Sequence, residues 1–215
     1  MKRLRILLGD DHSLILQGIQ GLLEGRHDVV GAEENGKSLI EAALRLKPDL
    51  VVLDVSMPIL NGIDAARRIK KALPTTKLVF LTMHANAIYL RKALELGASA
   101  YVLKSGAAEE LLAGIEEVRK GNVYVSPNFG REIIDTVRDL RQKGSGPPVE
   151  LTERQSCILQ LLAEGKQNKE IAEIAHISVR TVEFHRSRLI TRLGARNLAE
   201  LIRFAIQEGL IDLQL

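Results

Sequence analysis

The sequence predicts two domains of different class: an α/β domain with a doubly wound parallel five-stranded sheet over residues 1–125, and an all-α domain of four helices over 150–215. Three observations carry this. Apolar strand-like runs alternate with amphipathic segments five times in the first part, and no strand pattern follows residue 150. Between them, Gln142-Lys-Gly-Ser-Gly-Pro-Pro148 has linker chemistry, glycines for freedom and then prolines for stiffness, which places the linker at 126–149.

In the first domain the apolar runs fall at 4–8, 29–32, 50–53, 78–82 and 100–103. The run at 50–53 is continuous rather than alternating, as a central strand of a parallel sheet needs when helices cover both of its faces. The segments between, 13–23, 38–46, 63–73, 87–96 and 108–118, carry apolar residues at helical spacing. That rhythm implies a parallel sheet with right-handed crossovers, and in a doubly wound sheet ordered 2-1-3-4-5 strands one and three are neighbours. No GxGxxG and no P-loop follows the first strand, which disfavours nucleotide binding.

The second domain reads as helices near 152–164, 168–175, 178–193 and 197–208. Thr152-Glu-Arg-Gln155 and Asn197-Leu-Ala-Glu200 resemble capping boxes, Asn168 and Ser178 are candidate N-caps, and Gly165, Gly194 and Gly209 sit where helices should stop. Only a few residues around His176 and Ile177 join the second helix to the third, the spacing of a helix-turn-helix. Within the linker, 132–140 has the spacing of a short helix.

Composition narrows the function classes. At 215 residues, 46% hydrophobic and 27% charged, the chain has ample core for two small domains. No apolar run approaches the roughly 18 residues of a membrane span. Cys157 is the single cysteine, so no internal disulfide forms, and a reducing cytoplasm is expected. The five histidines show no ligand spacing, which argues against a structural metal site.

Chemistry collects at the strand ends. The first strand closes with Asp10 and Asp11, the third with Asp54, the fourth with Thr82 and the fifth with Lys104. Strands one and three are neighbours at the switch point of such a sheet, so the three carboxylates meet in one crevice. Carboxylates about 4 Å apart repel by roughly 4 kcal/mol per pair at an effective dielectric of 20. A cation relieves this, and oxygen ligands in a shallow site favour Mg2+. A carboxylate beside a divalent ion, with a lysine and a hydroxyl in reach, is equipped to accept a phosphoryl group. A lone strand-end Asp more often caps a turn; five such residues at the ends of successive strands form a much stronger signal.

Asp10-Asp11, Asp54 with Met57-Pro58 and Asn61-Gly62, Thr82, Tyr101 and Lys104 resemble the receiver domain of two-component response regulators, a flavodoxin-like fold, across all of residues 1 to about 125. The resemblance implies that Asp54 is the phosphoacceptor and that Asp11, Asp54 and the Ser56 backbone carbonyl hold Mg2+, with Asp10 acting through water. It also implies that Lys104 pairs with phosphoryl oxygens, that Thr82 and Tyr101 form a switch, and that a sensor histidine kinase is the donor. Ser105 stands where many receivers have proline, so no cis peptide is expected at Lys104-Ser105. The rival is a phosphohydrolase of the haloacid dehalogenase type; its second Asp, two residues on, is Ser56 here, which disfavours turnover. At most the chain phosphorylates itself from small donors and dephosphorylates itself.

In the second domain, residues 150–215 hold nine Lys or Arg and nine Asp or Glu, but between Ser178 and Arg196 five arginines stand against Glu183 alone. On a 3.6 period Val182, Leu189 and Leu193 face the core, with His185 at the edge. Glu183, Phe184, Ser187 and Arg188 point outward, flanked by Arg180, Arg186 and Arg192. A solvated basic face is the ordinary explanation, yet an outward Phe184 among arginines calls for a partner surface. A major groove offers thymine methyls, cytosine amino groups and phosphates to such a set.

Leu151-Thr-Glu-Arg, Asn168-Lys-Glu-Ile-Ala172, Ser178-Val-Arg-Thr-Val-Glu-Phe-His185 and Leu193-Gly194 closely resemble the LuxR-type DNA-binding domain, and the two parts together resemble a NarL/FixJ-type regulator. That implies base contacts from Glu183, Phe184 and Ser187, and phosphate contacts from Lys169, Thr181, Arg188 and neighbours such as Arg180. It further implies a homodimer on a two-fold DNA operator, with no membrane role. An autoinducer-binding regulator would share the module, but its apolar pocket often bears Trp, and Trp is absent here.

Overall fold

A computed structural model describes residues 3–83, 85–106, 108–127, 129, 151–207 and 211, and the chain divides into two compact units, Met1–Gly146 and Pro147–Leu215. The division falls inside the 126–149 segment. The proposed helix at 132–140 and the stop at Gly209 lie outside the described residues.

In the first unit β1 (Arg5–Gly9), β2 (Asp28–Glu33), β3 (Leu50–Leu53), β4 (Lys77–Thr82), β5 (Ala100–Leu103) and β6 (Tyr124–Val125) form one parallel sheet in the order β2-β1-β3-β4-β5-β6. The expectation of five strands was one short. β6 has two residues, too few to register as an apolar run, and it forms because Tyr124 N–H finds the Ser99 carbonyl at 3.0 Å.

Helices α1 (Ser13–Leu23), α2 (Gly36–Leu46), α3 (Gly62–Ala72), α4 (Ala87–Glu95) and α5 (Ala108–Arg119) cover the sheet. Alternate residues of each strand feed two cores. Leu7, Val51, Leu53, Phe80, Tyr101 and Leu103 pack under α2, α3 and α4, while Ile6, Leu8, Val52, Val79, Leu81 and Val102 pack under α1 and α5. This is why the runs are continuous: both faces of the sheet are interior. α2 begins at Gly36, two residues earlier than its apolar spacing suggested, because Asn35 Oδ1 caps it by accepting from Ser38 N–H at 2.9 Å.

The second unit contains α6 (Glu153–Ala163), α7 (Asn168–Ile174), α8 (Val179–Leu193) and α9 (Leu198–Gln207) around Ile158, Leu159, Leu162, Ile171, Val182, Leu189, Leu201 and Ala205. Half-buried Cys157 packs against this core. The Thr152–Gln155 capping box forms in full, with bonds of 3.0 and 3.3 Å. One cap is corrected: Asn168 is the first helical residue of α7, Gln167 is its N-cap, and Glu170 accepts from Gln167 N–H at 2.7 Å. At α9 Asn197 caps Glu200 N–H, whereas Glu200 reaches back past Asn197 to Arg196 N–H at 2.7 Å. His176 turns the chain between α7 and α8 with φ of 52°, and Gly194 ends α8 with φ of 65°.

Candidate functional site

Register builds the crevice at the C-terminal ends of the strands. Gly9 pairs with Leu53, so Asp10 and Asp54 emerge side by side, tied by Asp54 N–H donating to the Gly9 carbonyl at 2.8 Å. Thr82 pairs with Leu103, and Lys104 N–H donates to the Thr82 carbonyl at 2.8 Å, which carries Lys104 toward the same point. Its ammonium bridges the two carboxylates, 2.7 Å from Asp10 Oδ2 and 2.5 Å from Asp54 Oδ2, with all three side chains at most 6% exposed.

Burial pushes the Asp54 carboxyl above the usual carboxylate range, less than it otherwise would because Lys104 and a hydrogen bond from Thr82 favour the anion. Burial also works against the Lys104 charge, but Asp54 and Asp10 outweigh it and hold the ammonium above its ordinary value.

The wall after β3 is fixed by backbone. Gly62 N–H donates to the Val55 carbonyl at 2.7 Å, and Asn61 Oδ1 accepts from Asp64 N–H at 2.9 Å to start α3. A Cβ on Gly62 would lie 1.8 Å from the Asp54 carbonyl oxygen, and one on Gly36 would lie 2.0 Å from that of Leu60. Ser56 is buried in this wall and half-buried Ile59 has φ of 70°, a costly conformation for a β-branched residue.

His12 was missed by spacing alone. Its N–H donates to Asp10 Oδ1 at 3.0 Å, and its Nδ1 lies 3.2 Å from Asp10 Oδ1 and 2.9 Å from Asp11 Oδ1, the latter without hydrogen-bond geometry. Asp10, Asp11 and His12 could together hold a metal ion, a grouping that histidine spacing does not reveal. Two buried oxygens, Asp11 Oδ1 and Asp54 Oδ1, have no hydrogen-bond donor. Asp11 belongs to the group that suits a hard cation, whereas Asp54, expected to share that site, lies outside the group and meets Asp10 through the Lys104 ammonium. Tyr101 is fully buried between Phe80 and Phe129, at ring-centroid distances of 5.9 and 5.3 Å.

In the second unit α8 has two faces. Val182 and Leu189 are buried and Leu193 packs beside them, whereas Arg180, Glu183, Phe184, Ser187 and Arg188 are exposed, Phe184 by 55%. Lys169 is exposed on α7. Arg186 is half-buried, so it flanks the outer face less than expected. Half-buried Thr181 has its N–H on Ser178 Oγ at 3.1 Å and its hydroxyl 2.8 Å from the same oxygen. Sequence reasoning did not foresee that the Arg188 guanidinium lies over the Phe184 ring, 5.1 Å from its centroid. His185 Nδ1 is buried without a partner, and burial, with Arg154 and Arg188 nearby, keeps its pKa below the ordinary value.

Comparison with known proteins agrees with both halves. Residues 6–116 match the family model for the response regulator receiver domain, and 149–205 match bacterial regulatory proteins of the luxR family. The transcriptional regulatory protein MctR of Rhizobium johnstonii is 35% identical over 213 residues, 98% of this chain and 96% of that protein. The response regulator protein VraR of Staphylococcus aureus is 32% identical over 211 residues, 97% and 99% of the two chains. Among solved structures, RcsB from Salmonella enterica serovar Typhimurium, bound to promoter P1flhDC in the presence of phosphomimetic BeF3−, has a TM-score of 0.61 at 27% identity, covering 94% of this chain and 98% of that one. With both domains matched in order, the chain belongs to the NarL/FixJ-type two-component response regulators, a receiver followed by a LuxR-type DNA-binding domain.

Proposed function

We propose that Asp54 is the phosphoacceptor of this regulator and that its phosphorylation by a partner sensor histidine kinase, in the cytoplasm, controls DNA binding by α8. The observation that carries the reading is the Asp54 carboxylate itself: one oxygen on Lys104, the other buried without a donor, at the open end of the central strand. That free oxygen is the nucleophile. Its bond to phosphorus forms as the donor's nitrogen–phosphorus bond breaks, and no proton need leave Asp54.

Asp11, Asp54 and the Ser56 carbonyl would hold Mg2+, with Asp10 through water. The ion supplies charge neutralisation for the transferring group. Lys104, held between Asp10 and Asp54, is placed to turn toward phosphoryl oxygens, and the Thr82 hydroxyl, already bonded to Asp54, is placed to follow the new charge. With Ser56 at the position of a second acid–base Asp, only slow self-dephosphorylation is expected.

On DNA, Glu183, Phe184 and Ser187 read base edges while Lys169, Arg180, Thr181 and Arg188 hold phosphates, in a homodimer on a two-fold operator. Residues 126–149, of which Ser126 and Phe129 are buried in the first unit, would connect the domains. Labelling of the full chain with acetyl phosphate in Mg2+ tests the first step: one phosphoryl group per chain is expected, and none in Asp54→Asn. Full labelling of Asp54→Asn removes Asp54 from this role.

A further inference from the structure

The segment after α5 begins as part of the first unit's core. β6 runs beside β5 with Val125 opposite Tyr101, and Ser126 N–H donates to the Tyr101 carbonyl at 2.9 Å. Ser126 is fully buried; its hydroxyl donates to the Glu110 carboxylate of α5 and accepts from Leu103 N–H at 3.2 Å. Three residues on, Phe129 is 1% exposed and meets the Tyr101 ring edge-on, at 85° and 5.3 Å. Phe80 stacks on Tyr101 as well, at 5.9 Å. Tyr101 therefore has no exposed surface, and part of its cover comes from beyond the receiver's last helix.

We infer that Phe129 is a positioning residue for Tyr101, and that residues 124–127 together with Phe129 form a clasp relaying the charge at Asp54 into the connection toward the DNA-binding domain. The relay rests on the phosphoacceptor reading above. Phe80 pairs with Tyr101 and Thr82 with Leu103, so Thr82 is the diagonal neighbour of Tyr101 on one sheet face. Thr82 is itself fully buried and bonded to Asp54. A phosphoryl group that draws Thr82 outward leaves space beside Tyr101, and a close-packed interior resists that void unless the ring stays buried. The ring stays buried only while Phe129 covers it. Phosphorylation and closure of the clasp consequently favour each other, and by reciprocity each strengthens the other by the same factor.

Hydrogen exchange measured by mass spectrometry on the full chain in Mg2+, with and without BeF3−, tests the clasp. In the native chain BeF3− should slow amide exchange over 124–129 by about tenfold, within the usual range of such couplings. Phe129→Ala should lose the slowing, and Phe129→Leu, which keeps apolar volume, should restore much of it. Unchanged exchange over 124–129 in the native chain, or equal slowing in Phe129→Ala, overturns the clasp. If Phe129→Ala loses its folded circular dichroism, Ser126→Ala decides: it cuts the tie to Glu110 and should weaken the slowing, and undiminished slowing overturns the proposal.

The relay has a second readout. Phe129→Ala should keep native acetyl phosphate labelling at Asp54 yet lose most of the BeF3−-dependent gain in DNA affinity, and retention of the whole gain overturns it. A native chain with no such gain would defeat phosphorylation control itself, while the exchange measurement still decides whether the clasp exists.

Discussion

At Gly62 the start of α3 runs so close to β3 that only hydrogen fits where a side chain would be, 1.8 Å from the Asp54 carbonyl oxygen. Gly62→Ala must displace backbone rather than a flexible side chain, and a loss of about 3 kcal/mol in urea unfolding is expected. Lys104 is set by charge instead of space. Lys104→Met leaves Asp10 and Asp54 buried without their cation, which should cost about 3 kcal/mol near pH 7 and be partly recovered by Mg2+, as thermal unfolding with and without the ion will show.

Asp54 carries the opposite sign. Its folded pKa is raised by burial, so the fold holds the protonated form more tightly than the unfolded chain does, and that stabilisation is lost as pH rises through the folded value. Asp54→Asn should therefore melt higher than the native chain at neutral pH, by an amount that shrinks as pH falls through the carboxylate range. An equal difference at all pH values would contradict this.

Among the elements, α8 puts its two most outward chemistries in contact. Because Arg188 rests on Phe184, the pair should not behave as independent contacts. Phe184→Ala is expected to weaken operator binding by about 1–3 kcal/mol more than random DNA, and Arg188→Ala to weaken both alike and flatten the salt dependence. Their double mutant should lose less than the two single losses added together, read by fluorescence anisotropy. His185, held below its ordinary pKa by burial, is protonated more readily when α8 unfolds, so the second unit should lose stability as pH falls below the unfolded value near 6.5.

The strands, α1 and the face of α8 were legible in the sequence because each rests on periodicity, which burial enforces. β6 was not, since two residues carry no period, and its partners come from β5. His12 escaped because ligand spacing looks for histidine repeats, whereas here the neighbouring carboxylates are adjacent in the chain. Arg188 over Phe184 is visible only once the rotamers are known.

For the whole molecule, the chain joins a receiver domain to a LuxR-type DNA-binding domain, and on the reading proposed above its controlling variable is the phosphoryl state of Asp54. BeF3− in Mg2+ should raise operator affinity by about tenfold, the scale of a typical coupling free energy, and Asp54→Asn should abolish that gain without lowering basal binding. Unaltered affinity at saturating BeF3− would leave the second domain acting alone.

The two glycine contacts behind the crevice bear on the route such a signal takes. Gly36 lies against Leu60 and Gly62 against Asp54, so the bank of the crevice on that side is main chain pressed on main chain. Like an anvil, it does not recoil. If Asp54 takes up charge as proposed, any yielding falls to the opposite bank, where the neighbours are the side chains of Thr82 and Tyr101 rather than peptide planes.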